Sequence, residues 1–451
     1  MSPFYKKYED LVLKLSRNTI ITPKSPNSYI IANTLTRSII EVNRNSLDDI
    51  KKGNPDKLSE LTLEQFNECI DMGFLVPDFL NEDEFLNHIL LRERISPQNL
   101  ISYVMYSSLC NFACKYCYEI GQIKDKTMEK GTIDDLMRWY KYRFENGDFK
   151  GCYIFLYGGE PLLFIDFFLR FLKKMHELTK HYGISLKTGL FTNGFLLSKE
   201  IVYKLLSFNL EEINVTIDGS PKTHNFHRPL KHGKNKETFD VILKNLIDIS
   251  SLNLNTKINC RISFSKSNLS SIPQLLEIIR DRDNAGNIEP YFAHITQTSF
   301  QMEDVNSFCY QNVLTDDNEI ADAYIFLYKK AKIMGFEIPD FITLGPCMVY
   351  AVDSGIISPD GQIYKCLDMV GFENLSVGKV SFPIYYKSNY YKMIKAEKLN
   401  YCLNTDCPFV PICGGGCVME PLLKYGDYKK IICHRNMLEK IHKELFAEKF
   451  S

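Results

Sequence analysis

The sequence predicts an α/β protein. A parallel sheet, forming an α/β barrel or part of one, lies between a small N-terminal domain and a cysteine-rich C-terminal domain. Two observations carry this. From about Leu100, apolar stretches of strand length alternate with amphipathic helical stretches. In the last third that rhythm stops, and Cys, Gly and Pro accumulate instead.

Residues 1–82 read as a separate domain. The stretch SYIIANTLTRSIIEVN alternates, and is β-branched enough, for two short strands or a strand entering a helix. Ser46 is placed to cap the helix LDDIKKG, which Gly53 ends. Thr62 caps the next helix, LEQFNECIDMG, with Gln65 completing a capping box and Gly73 as its stop. FLVPDF follows as a strand. That order makes a winged-helix shape, and a generic N-terminal extension is the plainer alternative. Residues 83–99 are charged and partly helical and read as a linker.

Across 100–316 the strand candidates are ISYVMYSS, GCYIFLYGG, SLKTGLFTNG, EEINVTIDG, TKINCRISFS and PYFAHI, with IDFFLRFLKKMHELTKHYG and VILKNLIDISS among the helices between them. Strictly alternating strand and helix implies parallel strands with helices outside. Chemistry in such folds sits at the C-terminal ends of the strands. A bridging helix is expected in 317–340. Residues 341–451 hold too few periodic apolar runs for an ordinary core, so they need staples such as metal clusters.

The chain has 451 residues, 45% of them apolar, and a net charge of -1. This near-neutral balance argues against nucleic acid or an anionic membrane as the partner. No run of eighteen apolar residues is present, so no membrane span is expected. The stretch MSPFYKKYEDLVLKL lacks the order of a signal peptide, so the expected location is the cytoplasm. Fourteen cysteines are many for a reducing compartment, where clustered cysteines more often bind metal than pair. Cys69, Cys152, Cys260 and Cys309 are scattered and read as buried small apolar residues.

Cys110-x3-Cys114-x2-Cys117 follows the first barrel strand, where a reactive loop belongs. Three thiolates can hold three irons of a four-iron cluster and leave the fourth iron open. Zinc is the alternative, but it wants a fourth protein ligand nearby, and none is obvious. The surrounding CNFACKYCYE resembles the signature of radical S-adenosylmethionine (AdoMet, SAM) enzymes. So do Gly158-Gly159-Glu160-Pro161, Thr192-Asn193-Gly194 and Thr216-Ile217-Asp218-Gly219, each after a later strand. The resemblance covers residues 100–451 and implies a partial (β/α)6 radical SAM barrel. It implies a [4Fe–4S] cluster on Cys110, Cys114 and Cys117 whose open iron binds AdoMet. Reductive cleavage of AdoMet then yields a 5′-deoxyadenosyl radical, with a flavodoxin- or ferredoxin-type protein as electron donor. By the same resemblance, Gly158, Gly159 and Glu160 meet the AdoMet amino group. Thr216 contacts the ribose or carboxylate, Arg228 neutralises the carboxylate, and Tyr116 lies near the adenine. Asn193 and Asp218 belong to the same cofactor-binding motifs. A capped turn for Thr216 and a solvated basic residue for Arg228 are the plain alternatives.

The last third resembles the SPASM domain of peptide-modifying radical enzymes. Cys347 is followed by Gly361-x4-Cys366, then Cys402-x4-Cys407-x5-Cys413-x3-Cys417, then Cys433. The resemblance implies two auxiliary [4Fe–4S] clusters, and so three in all. Cys347, Cys366 and Cys417 would hold the first, and Cys402, Cys407, Cys413 and Cys433 the second. Asn404 stands where the pattern has a cysteine, and Cys402 is the substitute. The first cluster is one thiolate short. Asp353 stands where some relatives carry the extra cysteine, which leaves an open iron or an oxygen ligand. The clusters relay electrons or act only as staples.

Two peptide-directed readings compete. Anaerobic sulfatase maturation makes formylglycine from Cys or Ser, with an Asp directly after the second SPASM cysteine as base. Here Leu367 stands there, and Asp368 follows one position later. The other reading is maturation of a ribosomally made peptide (a RiPP). The first 80 residues resemble the small winged-helix domains that take a leader peptide as an added strand. That favours a precursor peptide with a leader as partner and a cross-link as product. A Cys thioether is preferred over a carbon–carbon link, because an open auxiliary iron could bind a substrate thiolate. A cluster-bearing redox sensor and a small-molecule radical enzyme are the other classes weighed.

Overall fold

Strands at the start of this chain are short and few, so their apolar faces need helices to cover them. The computed structural model describes residues 11–95, 98–117, 119, 123–232, 237–296, 307–337, 347–381, 383–395 and 397–449. These fall into two units, one of 11–94, Cys347 and 397–449, the other of 95–337 and 348–395.

The first unit begins with β1 (Leu13–Leu15), β2 (Thr19–Ser25), β3 (Ser28–Asn33), β4 (Ile39–Asn43) and β5 (Leu75–Pro77). β2, β3 and β4 form an antiparallel sheet in that order, and β1 pairs with β5. The stretch SYIIANTLTRSIIEVN is therefore a strand pair. The helix Arg44–Lys52 starts earlier than expected. Asn43, not Ser46, is its cap: the extended Asn43 backbone lets its side chain accept from Ser46 N at 2.8 Å. Gly53 ends it at φ 62°, and a Cβ there would meet the Leu13 carbonyl oxygen at 2.4 Å. The helix Leu63–Asp71 carries the expected box between Thr62 and Gln65. Both helices bury their apolar side with Leu13, Ile31, Phe66 and Phe74. The other face of the small sheet, Ile30 and Ala32, packs on Phe446 of the C-terminal helix Arg435–Lys449.

The second unit holds a nine-stranded sheet, ordered β11-β10-β9-β8-β7-β6-β12-β13-β14. Its strands are β6 (Asn99–Met105), β7 (Gly151–Tyr157), β8 (Ser185–Thr192), β9 (Leu210–Thr216), β10 (Lys257–Phe264), β11 (Ile288–His294), β12 (Ser354–Ile357), β13 (Gln362–Tyr364) and β14 (Gly378–Lys379). β6 to β11 are the six expected strands, and all pair in parallel. Each is followed by a helix, the arrangement of a partial (β/α)6 barrel. The helices are amphipathic as their sequences require. Ile165–His181 buries Phe167, Phe168, Phe171, Leu172 and Met175, and Phe239–Ser250 buries Ile242, Leu243, Leu246 and Ile249. Each such side chain contributes about 1.5–3 kcal/mol when fully buried. On β7, Ile154 and Leu156 alternate with Tyr153, Phe155 and Tyr157. Tyr103 and Tyr153 stack on Phe155, each with ring centroids 4.4 Å away.

β12 was not legible as a strand. It joins β6 in parallel, and β13 and β14 then run antiparallel, so the sheet continues into the cysteine-rich region. Four residues of mixed character give no period of their own, and pairing with β6 makes them a strand. The expected bridging helix is Asp317–Ile333, and 338–346 lie outside the described residues. Cys69, Cys152 and Cys260 are buried apolar residues as expected, while the Cys309 side chain lies outside the description. Among the described residues no helix is long and apolar enough to cross a membrane.

Asp49 ties the first domain's helices together. Its carboxylate accepts from Ser59 N, Glu60 N and Leu61 N at 2.9, 2.8 and 3.2 Å, and from Ser59 Oγ at 2.8 Å. Burial alone would raise its pKa, but these donors outweigh burial and hold it at about 2. We predict that Asp49→Asn lowers stability in urea unfolding by about 1–3 kcal/mol at neutral pH, by leaving buried N–H groups poorly paired. A depressed folded-state pKa stabilises above the unfolded value and is lost on acidification. The gap to wild type should therefore close as pH falls from about 4 towards 2.

Candidate active site and cysteine loops

In a parallel sheet every strand ends on the same side, so residues placed just after β6, β7, β8 and β9 meet there. Cys110, Cys114 and Cys117 occupy the loop after β6, all half-buried. Phe112 N donates to Cys110 Sγ at 3.3 Å, and Cys117 N to the Cys114 carbonyl at 3.2 Å. The loop docks on the segment after β9 through Ala113 N to Pro229 O and Lys115 N to His227 O, both 2.9 Å.

Gly158 and Gly159 follow β7 and touch the cluster loop's base. Gly159 N donates to Ser107 O at 3.1 Å and Glu160 N to Leu109 O at 3.0 Å. A Cβ on Gly159 would meet the Ser108 and Leu109 carbonyl oxygens at 2.4 Å, and one on Gly158 the Ser107 oxygen at 2.5 Å. Only glycine lets the two backbones approach so closely. Glu160 is buried and fully used. It accepts from Leu162 N at 3.0 Å, Thr192 Oγ1 at 2.6 Å and Asn193 N at 2.7 Å. Burial pushes its pKa up, against those three donors. Asn193, after β8, donates to Asn111 Oδ1 at 2.8 Å and approaches Cys110 Sγ at 3.9 Å.

After β9 comes the densest charge. Asp218 is buried and lies 3.7 Å from the guanidinium of Arg228, which caps the end of the helix Pro221–His227. Tyr116 joins both: its hydroxyl donates to Asp218 Oδ2 and accepts from Arg228 Nη1, the latter at 2.6 Å. Arg228 is thus a buried ion-pair partner, not a solvated residue. Burial works against its charge, but Cys114, Tyr116 and Asp218 outweigh burial and hold it protonated. Among the described residues its Nε has no hydrogen-bond partner. Asp218 is oriented in turn by Ser263 N at 3.2 Å, and its backbone by His224 Nδ1 and Asn268 Nδ2. His224 and Asn268 were missed in the sequence, because support for a buried aspartate has no fixed spacing. Thr216 ends β9, half-buried, opposite Arg261 of β10.

The two candidate acids separate. Asp353 precedes β12, and its backbone accepts from Ile101 N at 2.9 Å. That is the start of β6, the opposite end of the strand from Cys110. Its carboxylate pairs with Arg143, beside Trp139, Lys365 and Tyr390 in a small cavity. This placement keeps Asp353 away from the Cys110 loop, since a seven-residue strand puts about 20 Å between its ends. Asp368 lies in the turn Leu367–Met369, where burial raises its pKa and Arg261 pulls it down. Arg261 was not singled out in the sequence.

Cys366 belongs to this unit, at the N-cap of that turn. Cys347 and Cys417 belong to the first unit, and both are exposed. Cys402, Cys407, Cys413 and Cys433 also lie in the first unit. Burial raises the Cys402 thiol to about 11, and Cys413, Cys433 and Cys407 add to the rise, so the four stand within each other's field. Among the described residues no three His, Cys, Asp or Glu side chains stand close enough to share one bare metal ion.

The donor set fits the groups the sequence implies. Three thiols share one loop in which Phe112 N donates to Cys110 Sγ, two glycines bring the β7 loop against its base, and among the described residues the buried Arg228 Nε has no hydrogen-bond partner. Cys110, Cys114 and Cys117 would hold the cluster, and Arg228 Nε a carboxylate.

Residues 104–262 match the Radical SAM superfamily. The chain is 26% identical over 180 residues to the Fe-coproporphyrin III synthase of Methanosarcina barkeri, over 38% of this chain and 39% of that protein. It spans about half the length, or less, of the curated relatives it matches. Among solved structures, anSMEcpe with bound AdoMet and Cp18Cys peptide is similar at 17% identity and a TM-score of 0.59, over 78% of this chain and 100% of that one. SuiB of Streptococcus suis bound to S-adenosylmethionine is similar at 16% identity and a TM-score of 0.53, over 94% and 99%. SuiB bound to its precursor peptide SuiA gives 17% and 0.50, over 93% and 98%. At these identities the likeness shows the fold.

Three substitutions test the geometry. Arg228→Met leaves Asp218 buried without its counter-charge, so urea unfolding should show a loss of about 3–5 kcal/mol. Adding Asp218→Asn should restore much of it. Gly159→Ala should displace the Cys110–Cys117 loop, and after anaerobic loading with iron and sulfide the protein should bind less iron than wild type.

Proposed function

We propose that this protein is a radical AdoMet enzyme that modifies a ribosomally made precursor peptide, joining a Cys sulfur to a carbon. The observation that carries the radical chemistry is the meeting of Cys110, Gly159, Asn193 and Asp218 after four successive parallel strands. A peptide substrate is supported by the fold likeness over 94% of this chain to SuiB. It is also supported by the small sheet β2-β3-β4, whose outer strands leave backbone edges to which an extended leader can add.

Cys110, Cys114 and Cys117 hold a [4Fe–4S] cluster, which when bound supplies the electron that cleaves AdoMet. Arg228 binds the AdoMet carboxylate through Nε while Asp218 and Tyr116 fix its plane. The Gly158–Gly159 backbone receives the amino group, and Glu160, with every oxygen engaged, holds that backbone to the Asn193 turn. Thr216 borders the ribose. Cys402, Cys407, Cys413 and Cys433 hold an auxiliary cluster. Asp368, its pKa raised by burial, takes the substrate proton.

A second reading is oxidation of a Cys to formylglycine. The burial of Asp368 is compatible with it, because a base with a raised pKa two residues after Cys366 can also accept a proton, although that position is shifted by one from the sulfatase-maturation pattern.

The test is anaerobic co-expression with the short open reading frame beside the gene, followed by intact mass before and after thiol alkylation. A loss of about 2 mass units with fewer reactive thiols gives the thioether, and about 18 with one Cys consumed gives formylglycine. A loss of about 2 with all thiols reactive overturns the thioether in favour of a carbon–carbon or carbon–oxygen link, or of Ser oxidised to formylglycine. AdoMet cleavage with no change to any peptide overturns the peptide reading. Asp368→Asn should slow peptide turnover by about 100-fold in the same assay.

A further inference from the structure

The first unit joins residues far apart in sequence, and the contacts converge on one short loop. That loop, 403–408, runs from just after Cys402 to just past Cys407. It has little structure of its own. Thr405 N and Thr405 Oγ1 both donate to the Cys402 carbonyl, at 3.1 and 2.7 Å, and Cys407 N donates to the Thr405 carbonyl at 2.8 Å. Thr405 is therefore the pivot that sets one cysteine against the other.

The side chains that hold the loop come from the N-terminal domain. Arg17, in the turn between β1 and β2, donates Nη2 to the same Thr405 carbonyl and Nη1 to the Leu403 carbonyl at 3.3 Å. Its guanidinium also pairs with Asp83. The turn carrying Arg17 is itself fixed: Glu82 accepts from Arg17 N at 3.0 Å and from Ser16 Oγ at 2.5 Å. Thr34, fully buried after β3, donates its hydroxyl to the Pro408 carbonyl and its N–H to Asn18 O at 2.9 Å. From the far side, Arg435 Nη1 donates to the Asp406 carbonyl at 3.2 Å. Carbonyls at 403, 405, 406 and 408 are thus all taken by side chains, two of them from β1–β4 turns. An unpaired backbone carbonyl in a half-buried loop is costly, so each of these donors selects one loop conformation.

We propose that Arg17 and Thr34 are positioning residues for the auxiliary centre, holding Cys402 and Cys407 at the separation a cluster requires. The N-terminal domain is then part of the cluster's scaffold as well as a place for a peptide. This rests on the reading of Cys402, Cys407, Cys413 and Cys433 as cluster ligands.

The experiment uses the full chain with Cys110, Cys114 and Cys117 changed to alanine, so that only auxiliary iron is counted. Iron and sulfide content, the electron paramagnetic resonance spectrum of the reduced protein and the midpoint potential are measured for this parent and for Arg17→Ala, Arg17→Lys and Thr34→Val. Circular dichroism reports folding separately. Arg17→Ala should lose most of one cluster's iron and sulfide while its circular dichroism matches the parent. Arg17→Lys keeps the charge but reaches one carbonyl, so it should retain more iron with a broadened spectrum. Should Arg17→Ala fail to fold, Thr34→Val, which removes a single hydroxyl, must still lower iron content or shift the potential. Full iron with an unchanged spectrum and potential in Arg17→Ala, or in Thr34→Val where Arg17→Ala is unfolded, overturns the inference alone. A parent without auxiliary iron overturns the cluster reading and this inference with it.

Discussion

The buried pair of Asp218 and Arg228, bridged by the Tyr116 hydroxyl, is the interaction on which the candidate site depends. Each group comes from a different piece of chain. Tyr116 belongs to the cysteine loop after β6, Asp218 to the end of β9, and Arg228 to the end of the short helix that follows. Two opposite charges out of water are stable only with close geometry and further hydrogen bonds. Here Ser263, His224 and Asn268 supply those bonds around Asp218. The loop that carries Cys110, Cys114 and Cys117 is therefore fixed by charge from behind. It is also fixed by backbone contacts at Ala113 and Lys115.

The parallel sheet supplies the remaining constraint. Six strands running one way bring six loops to one edge, and two glycines after β7 let that loop sit against the carbonyls of Ser108 and Leu109. Glu160 then couples the β7 and β8 loops through Thr192 and Asn193. The same geometry explains why two aspartates with similar sequence claims part company. Asp353 lies at the start of β6 and is held by Arg143, whereas Asp368 lies near Arg261 of β10. Strand direction, not distance along the chain, sorts them.

The first unit shows a different economy. A three-stranded sheet is too small to cover both faces, so Ile30 and Ala32 pack on Phe446, and Arg17 and Thr34 reach the 403–408 loop. The cysteine-rich stretch buries Leu399, Leu403, Phe409 and Val410, and these donors fix the loop between them. Lys398, buried in the same region, donates Nζ to the Cys417 carbonyl, and burial lowers its pKa against the pull of the nearby thiols of Cys417, Cys402 and Cys413.

The sequence by itself determined the six barrel strands, the capped helix at Thr62, the cysteine groups and the order of motifs after the strands. These are local: period, caps and spacing are written in neighbouring residues. Tertiary structure alone decided the rest. Asn43 rather than Ser46 caps the first helix because of its backbone angles. Ser354–Ile357 became a strand because β6 offered an unpaired edge. Asp353 stands a strand's length from the Cys110 loop because β12 pairs with the start of β6. The partners of Asp218 and the hold of Arg17 on Thr405 join residues tens to hundreds of positions apart. No periodicity records such pairs, since a buried charge or a bare carbonyl accepts any donor that the fold brings within reach.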